Sequence, residues 1–425
     1  MKIQFLASAL FGCALLHTFC VSFFATLSKK YPAGSAHEAF FHLISEVEII
    51  FGFWAFLFLA VWSILEGFAP VIAYQEKLNM TEPLFIFCIM ILASTRPVVS
   101  ITRNLILWLS KILSKIVPVN PLLVQFFVLF TLGPLLGSLV TEPAAITIVA
   151  LLLHRMIDEK KIDSPLLYGL IALLFVNISV GGALTHFAAP PILVVARIWN
   201  WNLQDVFHGV GVAAISAVVL NTLFFIFMMR NKIVAMIHPM QPTHDALPAW
   251  VILSHLAFLA VLVAMSHHPQ VFMGLFLIFV GLTTVTQKYQ DGLKFREALL
   301  VAFFLGGLIV FGSFQKWWLE PLITGLGEKA LYFGSIGLTA VTDNAALTYL
   351  GSQVQSITES SKWALVSGAL VGGGLTILAN APNPAGFSIL SSKFPNQSLN
   401  GVKLFLAALP FTFIAALCFY GLGNF

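Results

Sequence analysis

The chain has 425 residues, of which 59% are hydrophobic and only 9% charged, and its formal net charge is +4. So little polar surface cannot clothe a water-soluble globule of this size, and an integral membrane protein is expected. The basic residues are dispersed between apolar runs rather than clustered, which argues against nucleic acid as a partner and leaves membrane lipid as the surroundings.

Apolar runs of about 20 residues can each cross a hydrocarbon core of about 30 Å as a helix, and such lengths argue against a porin-type barrel. In chain order the first three spans are predicted at 5–27, 47–69 and 78–96. The start, MKIQFLASALFGC, has no small-residue cleavage site after it, so the first span is read as retained. Residues 98–117 place Val98, Ile101, Leu105, Leu109, Ile112 and Ile116 at helical spacing and are read as an interfacial helix beside Arg96 and Arg103. A polar-interrupted pair follows at 121–157, then a span at 165–200 broken by Gly and Pro, and a span at 207–229. The second half runs 249–266, 270–287, 296–315, an interrupted pair at 328–356, a broken span at 362–394 and a final span at 401–422. Cys13, Cys20, Cys88 and Cys418 lie in apolar runs without a CxxC pair and are read as buried thiols, neither disulfides nor metal ligands.

The order of elements occurs twice, and residue matches support the repeat independently. GPLLGSLVTEPAAIT, from Gly133, lies over GSIGLTAVTDNAALT, from Gly334, and VGGALTHFAAPP, from Val180, over VGGGLTILANAP, from Val371. The interrupted pairs are too short for two full spans and a loop in water, so each is drawn as a re-entrant hairpin. Each half then crosses an odd number of times, which requires the halves to sit in opposite orientations. The fold expected is an all-α polytopic membrane protein of two inverted repeats, each with three spans, a re-entrant hairpin, a broken helix and a final helix. The first repeat is placed at 1–230, a linker loop at 231–247 and the second repeat at 248–425.

Loops on one side carry Lys29, Lys30, Lys111, Lys115, Arg155, Lys160, Lys161, Arg230, Lys232, Lys288, Lys294, Arg296, Lys393 and Lys403. The other side has Lys2, Lys77, Arg197, Lys316, Lys329 and Lys362. By the positive-inside rule the first side is cytoplasmic and both termini are external.

The hairpin tips carry the chemistry. A carboxylate at mid-membrane costs on the order of 2.5–3.5 kcal/mol, yet Glu142 and Asp343 recur at the same repeat position. Pro143 disfavours helix at Glu142, so the chain is expected to unwind there and free its carbonyls, and Asn344 does the corresponding work in the second tip. With Thr141 and Thr342, these groups form an oxygen-rich nest suited to a proton or to sodium held transiently by Glu142 and Asp343. The broken spans supply the facing wall: GGALT and GGGLT, with AAPP and NAPNP, prevent continuous helix, and Asn177, Thr185, Thr376, Asn380 and Asn383 add side-chain oxygens. Asp343 is expected to matter more, since Asn344, Asn380 and Asn383 can complete a shell around it. The alternative is that both acids cap hairpin turns. His186 is left as either a packing residue or a proton carrier.

These residues resemble the ion-transporter superfamily that includes NhaD-type sodium/proton antiporters and dicarboxylate/sodium symporters, and the TEPAA and TDNAA tips look most like its bacterial sodium/proton antiporter branch. The resemblance implies a homodimer formed through a scaffold, elevator-like movement of the transport part, and a bacterial inner-membrane location. It implies no enzyme and no cofactor, only transported sodium or lithium and protons. A sodium-coupled carrier of a small anion such as a dicarboxylate is the alternative, although two fixed carboxylates would repel a dianion. An intramembrane hydrolase with the two acids as a catalytic pair is the remote third reading; no GxGD stretch is present.

Overall fold

The computed structural model describes residues 2–32, 34–157, 162–240, 247–266, 268–394 and 399–423. Lys160, Lys161 and part of the 231–247 linker lie outside the described residues. Helices account for nearly every element. The chain opens with α1 (Lys2–Ser28), a short α2 (Ala36–Leu43), α3 (Val47–Glu66), a short α4 (Phe68–Gln75), α5 (Thr81–Ala93) and α6 (Arg96–Ile116). The first interrupted pair is α7 (Pro121–Val140) and α8 (Glu142–Met156), and the first broken span is α9 (Ser164–Gly181) and α10 (Pro190–Ala196). A single turn, α11 (Leu203–Val206), leads through a π-helical stretch at 207–211 into α12 (Val212–Met236). The second half has α13 (Ala249–Ala264), α14 (Pro269–Val285), α15 (Phe295–Gly312) and a short α16 (Lys316–Thr324). Then come the second interrupted pair, α17 (Glu328–Thr339) and α18 (Asn344–Ser352), the second broken span, α19 (Glu359–Gly372) and α20 (Asn383–Leu390), and the final α21 (Gly401–Leu422).

Among the described residues, six helical stretches are long and apolar enough to cross a membrane, or seven if α5 and α6 count as one bent span. The third predicted span is the main departure. α5 has only 13 residues, about 20 Å of helix, and the chain then turns by 66° into α6. Pro97 in the first turn of α6 explains the break: it cannot extend a preceding helix, but its fixed φ suits a helix start. Leu105, Ile112 and Ile116 on the apolar stripe of α6 are exposed on the protein. Two cysteines also depart from expectation: Cys88 and Cys418 are buried, but Cys20 is exposed and Cys13 half-buried, because α1 is apolar all round and packs by only part of its surface.

Two groups of helices follow from the packing. α3 and α5 both pack on α15, with α1 on α3 and with α13 and α14 on α5. The interrupted pairs, broken spans, α12 and α21 pack among themselves around α9, which is buried along its length from Leu166 to Gly181. An all-round apolar helix belongs either in a protein core or against lipid, and α9 takes the first place.

Candidate ion-binding site

The first tip is one residue wide. α7 ends at Val140, α8 begins at Glu142, and Thr141 between them takes φ 78° and ψ 153°. That region suits glycine, and holding a β-branched residue there stores about 1–3 kcal/mol of strain. The break therefore comes one residue earlier than expected. Glu142 is already helical and Pro143 sits in the first turn of α8, where an N–H has no intrahelical acceptor anyway. In the second tip, Asp343 is the N-cap of α18, and its Oδ1 accepts from the backbone N–H groups of Ala345 (2.8 Å) and Ala346 (3.1 Å). Both acids thus stand at helix N-termini, whose free N–H groups and dipole favour a carboxylate and offset part of the cost of burying one. Glu142 is 0% exposed and Asp343 5%.

One broken span joins the tips. Asn380 Nδ2 donates to Glu142 Oε2 at 2.8 Å, and the preceding carbonyl, that of Ala379, accepts from the backbone N–H of Asn344 at 3.1 Å. The packing is reciprocal: α20 of the second half lies on α8 of the first, and α10 of the first half on α18 of the second. Asn383 Nδ2 donates to the carbonyls of Gly373 and Thr376, both at 2.9 Å. With the amide nitrogens so directed, a set of buried oxygens accepts no hydrogen bond from the described residues: Thr141 Oγ1, Glu142 Oε1, Asn344 Oδ1, Asn380 Oδ1 and Asn383 Oδ1, while the backbone N–H of Ala381 also faces the Asp343 carboxylate.

Other predicted ligands have different surroundings. Asn177 is a knot between helices: its Nδ2 lies within hydrogen-bonding distance of Phe130 O (3.0 Å), Val218 O (3.3 Å) and Thr222 Oγ1 (3.0 Å), and its Oδ1 accepts from Asn221 at 3.1 Å. It holds α7, α9 and α12 together rather than facing the tips. Asn177→Ala is expected to lower the melting temperature, at a cost of about 1–2 kcal/mol, with no change in apparent cation affinity; measuring both separates the knot from the ion site. Thr185 and Thr376 spend their hydroxyl protons on tip carbonyls, Ser138 O at 2.6 Å and Ala340 O at 2.8 Å, pinning each broken span to its own hairpin. Thr342 turns its hydroxyl back to Leu338 O at 2.8 Å. His186 lines a separate small cavity with Glu82 and Arg197.

Sequence reasoning missed Ser138, Ser179 and two glycine roles. Ser138 donates to Gly181 O (2.8 Å) and accepts from the N–H of Leu184 (3.0 Å); its alignment over Thr339 was the available signal. A Cβ on Gly182 would lie 2.7 Å from Glu142 Oε1. A Cβ on Gly373, its repeat counterpart, would lie 2.1 Å from Ser179 Oγ and 2.7 Å from Asn344 Nδ2. In both halves the absent side chain makes room for a polar group of the tip.

Access is uneven. A cavity of 280 Å³ reaches Pro143 and Ala144 beside Glu142 and Ala381 beside Asn380. Its other wall carries Glu46, Lys294, Arg296 and Glu297, with Arg296 bonded to Glu46 and Lys294 3.9 Å from Glu297. Asp343 lines a 10 Å³ space with Leu15, Phe51 and Phe304. Asn380, expected in the shell of Asp343, donates to Glu142 instead, and the 280 Å³ cavity ends next to Glu142.

A comparison with curated proteins finds no match. A family model described as "Putative Na+/H+ antiporter" matches residues 2–422. Together with its long apolar helices, that match makes the chain a multi-pass membrane protein, and the chain belongs to this Na+/H+ antiporter family.

Proposed function

We propose that the chain exchanges sodium or lithium for protons, with Glu142 alternately holding the cation and the proton and Asp343 as the second acid of the site. The observation that carries this reading is the set of buried oxygens around the two acids that accept no hydrogen bond from the described residues. Leaving such acceptors unpaired costs about 1–3 kcal/mol each, which a hard cation with oxygen ligands or a proton on a carboxylate recovers. The strained Thr141 keeps its hydroxyl among them.

The sodium-coupled anion carrier is less well supported. The cavity's two cations each have a glutamate partner, so no spare positive charge awaits a dianion. An acid pair for hydrolysis is disfavoured too, because Glu142 bonds to Asn380 while Asp343 caps α18. Reciprocal packing of α20 on α8 and α10 on α18, with α5 against α15, supports inverted repeats. The cavity lies at the boundary between the two helix groups, which supports elevator-like movement of the group holding both tips. The protein is placed in a bacterial inner membrane with external termini, as a homodimer through the α3–α5–α15 group; every proposed ligand comes from one chain.

Everted vesicles test the reading. Sodium or lithium added after acidification should release protons. Because an acid must lose its proton to take a cation, the apparent KM should rise by about tenfold per pH unit on the acid side with Vmax unchanged. Sodium-driven uptake of a labelled dicarboxylate without proton release would put the anion carrier in its place.

A further inference from the structure

Two cavities lie along the boundary between the helix groups, at opposite ends of α5. The cavity beside Glu142 touches Met90 and Ser94 at the end of α5, whereas the one lined by His186 touches Thr81 and Glu82 at its start, about 20 Å away along the helix. Their sizes differ sharply, 280 Å³ against 20 Å³. The smaller holds about one water and offers no path to a hydrated ion. Across it, Arg197 Nη1 stands 3.8 Å from Glu82 Oε1. Glu82 lies in the first turn of α5, and Arg197 follows the last residue of α10. Each charge is at the helix end that favours it, and the two helices belong to different groups.

We propose that the Glu82–Arg197 pair is a positioning device for the exchange cycle: it holds this face shut while the cavity beside Glu142 is open, and it breaks when the site loads from this face. The inference rests on the alternating-access reading above. The degree of burial suits the task. The side chains are 13% and 43% exposed, so water meets both charges when the groups part and the pair is not locked as a fully buried one would be. Glu82 is still shielded enough to draw Arg197 back. Phe187 and Leu193 supply the apolar part of the same closure.

The test is sided labelling of Ser266→Cys, in the lining of the same cavity and 8% exposed, with a membrane-impermeant maleimide from the Arg197 face, read against the same protein without the added cysteine. Slow labelling is expected in the otherwise native chain. Glu82→Gln or Arg197→Gln should speed it about fivefold, equivalent to about 1 kcal/mol in the population of the open state. The charge-swapped double variant, Glu82→Arg with Arg197→Glu, should slow it again, an outcome that loss of folding cannot mimic. Unchanged labelling in both neutral variants, fast labelling without them, or no rescue by the swap overturns the proposal. Labelling needs no transport, so these results are independent of whether Glu142→Gln abolishes exchange.

Discussion

Glu142→Gln is expected to lower cation–proton exchange by about a hundredfold or more, with the protein still inserted and folded. Gln can still accept from Asn380 Nδ2 at the position of Oε2, so the shape of the tip survives, but the charge for which cation and proton compete is gone. Removing one partner of a buried charge interaction costs about 3–5 kcal/mol, enough for that loss. Asp343→Asn should have a smaller effect, about tenfold, because Asn is also a good N-cap and keeps the bonds from Ala345 and Ala346, and because the open cavity does not reach Asp343. The measurement is initial exchange rate in everted vesicles together with melting temperature in detergent. Wild-type rates in both variants would make the two acids turn caps and move the anion carrier to first place.

Gly182→Ala should lower exchange by about tenfold without any change of charge. The added Cβ would stand 2.5 Å from Glu142 Cγ and 2.7 Å from Oε1, closer than atoms can approach, and overpacking of this kind costs about 1–3 kcal/mol. The carboxylate must move away from Asn380 and from the oxygens beside it. Combining Gly182→Ala with Glu142→Asp, which withdraws one methylene, should restore part of the rate lost by the glycine variant. A double variant no better than either single one would show that Gly182 matters for helix packing alone. Exchange rate and apparent KM for sodium, measured across the four proteins of the cycle, distinguish the outcomes.

Much of this protein was determined by its sequence alone. Hydropathy set the helices and the membrane, because a helix that crosses lipid must be apolar over its own length. Local chemistry set the breaks: Thr-Glu-Pro and Thr-Asp-Asn, GGALT and GGGLT, and Pro-containing turns stop helices wherever they are folded. The two acids were legible because a charge in an apolar run stands out and recurs at the same repeat position. What the tertiary structure decided was which group serves which acid. Asn380 is 238 positions from Glu142 and reaches it only because α20 packs on α8. Asn177 looked like a ligand and ties helices together, since Phe130, Val218, Asn221 and Thr222 are brought around it by two other helices, α7 and α12. The left-handed conformation of Thr141, the room left by Gly182 and the approach of Arg197 to Glu82 are likewise invisible in the chain. The physical reason is one of range: helix formation and its interruption are settled by neighbours within a turn, whereas the hydrogen-bond partner of a buried oxygen is settled by whichever distant backbone or amide the packing brings within about 3 Å.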